Sequence, residues 1–385
     1  MENKMTELSA AMYNKAVYDN MTVSNAVAML RQCTDFRTLS QKINAFSKGR
    51  DVKKVLIDGL CENHPDANRD TVSRKVRNWL NDCQNTLHKE DAIELCFVLG
   101  LTLDESENFV AMICEEFLHW RNLDEIPYIF ALSKNMSYRQ AVELHDRIKD
   151  TIAEDVSNNL SDDSFTDIVK NEIKNIENET ELVNYIVNAK HRLGSLHNTA
   201  YELFSTMMNT LERPETELVD DDDYFPETEN YSVGKIVQAY MHREDIPEFE
   251  DNKKKNLYSA LQRSVLNNWP NETALSRIKN RHADVTRKVL ILLFLATYDA
   301  DNYISIDEEN EDDYLYPEYG YEQSKDQTFK EFYTNMNILL ESSGFKTLDP
   351  RAPFDWIVIF CMCVEDIYDI DGRFSDFLQT LFSAE

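Results

Sequence analysis

Glycine and proline are scarce in this chain, at 8 and 9 of 385 residues. Few positions can supply the positive-φ turns that tight hairpins need, which disfavours an all-β fold and favours long helices. Long apolar runs are also missing. The two longest, Val289 to Ala296 and Trp356 to Val364, are too short to span a bilayer. Residues 1–11 carry Glu2 and Glu7 and no apolar core of signal-peptide length, so neither export nor membrane insertion is expected. Paired cysteines are not evident either. The seven cysteines, Cys33, Cys61, Cys83, Cys96, Cys114, Cys361 and Cys363, are odd in number and mostly sit in apolar helical patterns, where a free thiol acts as a small hydrophobe. Cys361 and Cys363 are too close for a CxxC redox or zinc pair, and no histidine lies near them. A reducing, cytoplasmic setting suits this usage.

Positive charge is in deficit. Lysine and arginine total 40 against 70 acids, a formal charge of −30. The first 150 residues are close to balance, so nearly all the excess lies in the remainder. Residues 215–230 hold eight acids and no base, and residues 299–326 hold eleven acids, one lysine and five tyrosines. Such runs are expected to be solvated acidic loops suited to protein docking or self-association.

Apolar residues make up 42% and aromatics 11%, ample for a packed core despite 29% charge. Apolar positions recur at helical spacing through Thr22 to Ser47, from Asp51, through Asp91 to Gly100, and through Ile168 to Leu211. Gly100 stands where a helix C-cap belongs, and Thr102/Glu105 and Ser137/Gln140 read as capping boxes that start the next helices. The expectation is an all-α, multi-helix protein with acidic loops. Its length suggests two or three domains. A polar stretch from Ser157 to Asp167 suggests a boundary, giving an N-terminal helical domain (1–156), a connector ending in an acidic loop (157–230) and a C-terminal helical domain (231–385).

Two segments share a further pattern. The first is Asp70-Thr71-Val72-Ser73-Arg74, continuing to Val76, Trp79 and Leu80, then a polar loop and the helix from Asp91. The second is Glu272-Thr273-Ala274-Leu275-Ser276-Arg277-Ile278-Lys279-Asn280-Arg281, then Ala283 to Lys288 and the apolar helix from Val289. In each, a short helix keeps one apolar stripe inward (Val72, Val76 and Leu80; Ala274, Leu275 and Ile278). Thr71, Ser73, Arg74, Lys75, Arg77 and Asn78 are left to face outward in one, and Thr273, Ser276, Arg277, Lys279, Asn280 and Arg281 in the other. Upstream lie Lys48, Arg50, Lys53 and Lys54, and Lys253 to Lys255. Residues 42–77 hold nine bases to five acids and residues 235–288 eleven to seven, islands of positive charge in an acidic chain. Both segments resemble the phage-repressor-like (Xre-type) helix-turn-helix family, over about a third of the chain. That resemblance implies a recognition helix whose outward groups meet base edges and phosphates of duplex DNA. Both copies depart from the family in the turn before that helix, where Asn63 to Asn68 and Asn267 to Asn271 replace a small-residue turn.

Catalytic spacings are missing. No GxxxxGK[ST], GxGxxG, HExxH or GxSxG occurs, so phosphate-loop, hydride-transfer, zinc-hydrolase and serine-elbow chemistry lack their usual scaffolds. His191 and His197 are six apart with Gly194 between them, which does not place them on one helical face, and His119 beside Trp120 and Arg121 reads as a packing residue. Asp220 to Asp223 and Asp307 to Asp313 lack the alternation of a calcium loop, and Asp366, Asp369 and Asp371, near Gly372, come closer in spacing but sit at the end of an apolar helix, where they read as a polar cap. No metal or other cofactor is expected. The sequence thus predicts a non-enzymatic, bacterial DNA-binding regulator whose acidic C-terminal part engages protein. The alternative is an acidic module that binds or inhibits a basic, nucleic-acid-handling partner, such as a defence-system accessory. The two differ in whether Arg74, Lys75 and Arg77, and Arg277, Lys279 and Arg281, stand open or are neutralised.

Overall fold

The computed structural model describes residues 6–33, 35–81, 87–152, 165–194, 196–212, 231–246, 259–298, 325–364 and 369–383. The acidic runs 215–230 and 299–326 lie almost wholly outside these residues, as do Cys83 and Lys253 to Lys255. The fold is all-α. In chain order the helices are α1 (Glu7–Tyr18), α2 (Val23–Gln32), α3 (Leu39–Ala45), α4 (Val52–Asn63), α5 (Arg69–Trp79), α6 (Lys89–Leu99), α7 (Leu103–Cys114), α8 (Ile126–Ser133), α9 (Tyr138–Thr151) and α10 (Phe165–Asn175). They continue with α11 (Glu179–Ala189), α12 (Asn198–Glu212), α13 (Val233–Ala239), α14 (Ala260–Leu266), α15 (Glu272–Lys279), α16 (Arg287–Thr297), α17 (Lys325–Ser342), α18 (Pro353–Cys361) and α19 (Asp369–Phe382). Extended pairing among the described residues is limited to an isolated antiparallel bridge between Glu116 and Phe345. No described helix is long and apolar enough to cross a membrane.

Local chemistry sets the helix ends. Thr102 accepts from the Glu105 amide while Glu105 reaches back to the Thr102 amide, and Ser137 and Gln140 do the same, each pair satisfying two otherwise orphaned donors. Gly100 caps α6 at φ 61°, a left-handed conformation that suits glycine. The apolar stretch Thr22 to Ser47 forms two helices, not one. Thr38 and Gln41 build a further capping box that restarts the chain as α3 after α2 ends at Gln32.

Buried side chains gather into two clusters. One runs from Leu39 to Leu193 and is built from α3 to α11. The other joins Met12 to Leu30, from α1 and α2, to residues from Ala200 to Phe382. The first two helices therefore pack with the end of the chain: α1 lies on α18 and α2 on α19. The buried Trp356 indole donates to the Met12 carbonyl at 2.8 Å, and Arg31 donates to the Leu381 carbonyl at 3.1 Å. Backbone bonds tie the two clusters together beside the bridge, Phe117 to the Gly344 carbonyl and Lys346 to the Glu115 carbonyl, both at 3.1 Å.

Candidate nucleic-acid interface

The first helix-turn-helix-like segment is built from α4, α5 and α6, with α4 packed on both others. Asp51 caps α4 and Asn68 caps α5 by accepting backbone amides at 3.2 and 2.8 Å. Gly59 permits the close approach of α4 to α6: a Cβ there would stand 2.6 Å from Val98 Cγ1. In α5, Val72, Val76 and Trp79 are buried, as the helical period requires, and Leu80 is half-buried. The turn between α4 and α5, Asn63 to Asn68, is fastened from α6. Glu94 of α6, only 5% exposed, accepts from Asn63 Nδ2 and pairs with His64 Nε2, each at 2.9 Å.

Thr71, Arg74, Lys75, Arg77 and Asn78 are exposed on α5, and Ser73 is half-buried. Their charges are not equally available. Lys75 is bound to Asp91 of α6 at 2.7 Å, with its ammonium 4.8 Å from the Trp79 ring centre. Arg74 donates to the Thr71 hydroxyl at 3.5 Å, and neither it nor Arg77 forms an ion pair among the described residues. Of the upstream cations, Lys48 pairs with Glu105 at 2.9 Å and Arg50 turns inward to the carbonyls of Ser47 and Leu99. Lys53 and Lys54 are exposed and form no ion pair among the described residues. Arg69 is spent on Asp58 at 2.6 Å.

The second segment is arranged differently. Here α15 packs on α13, whereas α14 packs on α18. Leu275 and Ile278 are buried, with Ala274 and Ser276 half-buried, while Thr273, Arg277, Lys279 and Asn280 are exposed. Lys279 nevertheless pairs with Glu212 of α12, and its carbonyl accepts from the Tyr201 hydroxyl at 3.0 Å. Arg281 donates to Asn198 Oδ1 at 2.6 Å and stacks 4.1 Å from the Tyr201 ring centre. Asn280 folds back onto the Ser276 carbonyl at 2.7 Å, and Arg277 reaches the His282 carbonyl at 3.4 Å. Thr273 and Arg277 line an open groove of about 680 Å³ with Gln238, Arg243 and Glu272. The basic groups of this segment thus serve mainly to fasten α15 to α12.

Sequence reasoning overlooked the seam between the two clusters. Arg287, at the start of α16, is buried and grips Asp355 of α18 through two bonds of 2.9 and 2.7 Å, while its Nε donates to the Lys346 carbonyl at 2.7 Å. Glu115, in the left-handed region at φ 65°, lies 3.6 Å from the same guanidinium. Nearby, His119 and His197 stack at 4.2 Å, and His197 Nδ1 meets Asp284 at 2.6 Å. Burial pushes the His119 imidazole well below its usual value, and the Asp284 carboxylate holds His197 above it. Asp371 pairs with His242 at 3.2 Å, and no group of three or more His, Cys, Asp or Glu among the described residues is placed to hold a metal ion. No protein-family model matches the chain, and no curated protein or solved structure does.

Proposed function

We propose that this is a non-enzymatic, cytoplasmic DNA-binding regulator that meets duplex DNA through α5 of a divergent phage-repressor-like helix-turn-helix unit. One observation carries the reading. Arg74 and Arg77, with Thr71 and Asn78 beside them, stand exposed and without a carboxylate partner among the described residues, on a short helix whose opposite stripe is locked into the core. Guanidinium forks and a nearby amide and hydroxyl are the groups that base edges and phosphates accept. Lys53 and Lys54 on α4 add phosphate-binding charge. The proposal is confined to the first unit, because Lys279 and Arg281 are committed to Glu212 and Asn198. A charge of −30 opposes the approach of DNA, but at physiological salt that repulsion is screened within about 8 to 10 Å. The acidic runs 215–230 and 299–326 are assigned to protein contact or self-association.

The test is fluorescence titration of the full chain against mixed genomic duplexes at two salt concentrations. Binding that weakens steeply with salt, and weakens further in the Arg74→Ala/Arg77→Ala chain, supports the proposal. A second reading has its own observation: Lys75 and Lys279 are neutralised by Asp91 and Glu212, which leaves acid as the dominant exposed charge. An acidic module that engages a basic, nucleic-acid-handling protein would look like this. No binding of duplex at low salt rejects the DNA reading in its favour.

A further inference from the structure

Between the two hydrophobic clusters lies a cavity of about 80 Å³, lined by Arg37, Lys42, Glu115, Thr286, Arg287 and Lys288 among others. A single water needs only about 10 to 15 Å³ by the same kind of measure, so there is room for several waters or one small polyatomic ion. The lining holds four cations and one carboxylate. Arg287 is answered by Asp355, and Arg37 lies 3.6 Å from Asp349. The two lysines have no direct ion pair among the described residues: Glu115, Asp349 and Asp355 act on Lys42, and Glu115 and Asp355 on Lys288, only from beyond ion-pair distance.

Lys42, on α3, is 6% exposed and lines the cavity, and its side chain forms neither a hydrogen bond nor an ion pair among the described residues. Lys288, on α16, is half-buried; it gives its ammonium to the carbonyls of Val265 and Asn267 and lies 4.5 Å from the Phe354 ring centre, with no carboxylate in ion-pair range among the described residues. A buried ammonium with no carboxylate in direct contact is costly, and proteins that keep one usually pair it. Two helix starts also face this space. Thr286 is the N-cap of α16, and Ala352 and Pro353 begin α18, whose cap residue supplies no side-chain acceptor to the first amides.

We propose that this cavity is an anion site that takes a phosphate-class oxyanion, with Lys42 as its principal counter-charge and Lys288 and the start of α18 supporting it. The inference is independent of the DNA proposal, since none of the cavity residues lies on α5. Burial lowers the pKa of both ammonium groups, and an anion seated between them opposes that shift. The phosphate is either free or the terminal group of a nucleotide that reaches the seam from outside.

The experiment is a thermal-unfolding series on the full chain, with inorganic phosphate and, separately, a nucleoside monophosphate, each against chloride at matched ionic strength. The expected result is a saturable rise in Tm of about 3 °C near a hundredfold excess over Kd. That rise should vanish in Lys42→Met and persist in Arg74→Ala/Arg77→Ala. A response to inorganic phosphate assigns the free ion, and a response to the nucleotide alone assigns the nucleotide. No rise with either ligand, an equal rise in Lys42→Met, or loss of the rise in the α5 double variant overturns the proposal. Should Lys42→Met not fold, the phosphorus NMR line of inorganic phosphate decides the same question: the unmutated chain should broaden it and Lys42→Gln should not.

Discussion

Replacing Lys288 with methionine should change how stability depends on pH, by an amount that its surroundings set. Its ammonium is enclosed by two carbonyls and the faces of Phe354 and Trp269, and burial lowers its pKa from 10.5 to about 8. A displacement of that size corresponds to about 3 kcal/mol held against folding wherever the group is charged in both states. Because the folded value is the lower, the unfolded chain binds more protons between about pH 8 and 10.5, so stability rises with pH across that window and the full penalty is present below it. From about pH 7.5 to about pH 9.5 the unmutated chain should therefore regain about 2 kcal/mol that Lys288→Met has no means of regaining. Urea unfolding of both chains in phosphate-free buffer, at the two ends of the window, measures this as a change in their difference. Buried thiols such as Cys96, pushed up to about 12, also titrate across folding, but they act in both chains and cancel. A difference that stays constant across the window refutes the assignment of a desolvated cation without a direct ion pair to this cavity.

Arg74→Ala/Arg77→Ala should unfold at the same urea concentration as the parent and reduce the slope of log affinity against log salt by about 2, one for each phosphate that is no longer neutralised. An unchanged slope in the folded variant removes α5 from the interface. Gly59→Ala should destabilise the fold by about 1 to 3 kcal/mol despite the better helix propensity of alanine, because the new methyl meets Val98 at 2.6 Å, and Val98→Ala should restore most of the loss. If Gly59→Ala proves neutral by denaturant unfolding, α4 and α6 are not so close. Asp355→Ala leaves the buried Arg287 guanidinium without its fork partner and should cost about 3 to 5 kcal/mol, read as a fall in Tm.

The fold is largely legible because helix starts and stops are written in short spacings. Gly100, Thr102/Glu105 and Ser137/Gln140 announce themselves within four residues. Thr38/Gln41 and Ser259/Gln262 follow the same rule, yet the first is hidden because apolar residues at three- and four-residue spacing stand on both sides of it, so the pattern reads as one helix across a real break. The packing of α1 and α2 with α18 and α19 leaves no local trace, since the Trp356 bond to Met12 spans 344 residues. The candidate interface divides in the same way. The inward stripe of α5 is a periodicity and can be read; the neutralisation of Lys75 by Asp91 comes from the third helix of the unit, and that of Lys279 by Glu212 from 67 residues away. Lys42 occupies a position that reads as the polar face of a helix, and only the approach of the second cluster buries it.

Glu94 offers a sharper test of how α5 is presented, because two physical effects predict opposite results. By charge alone, Glu94→Ala removes a carboxylate from the helix behind α5 and should tighten binding to a polyanion. By geometry, the same substitution strips the turn between α4 and α5 of its anchor. Asn63 Nδ2 and His64 Nε2 each lose a partner at 2.9 Å, which costs about 1 to 3 kcal/mol of local stability, and no glycine in Asn63 to Asn68 eases the turn in its place. Glu94 is 5% exposed, so its charge is remote from ligand while its bonds are not remote from the turn. Geometry should win: duplex affinity should fall about tenfold for each 1.4 kcal/mol needed to re-form the turn. Glu94→Gln, which keeps the accepting oxygen and discards the charge, should bind at least as tightly as the parent. If Glu94→Ala binds as tightly as Glu94→Gln, the turn does not orient α5, and the absence of the small-residue turn then counts directly against α5 as a recognition helix.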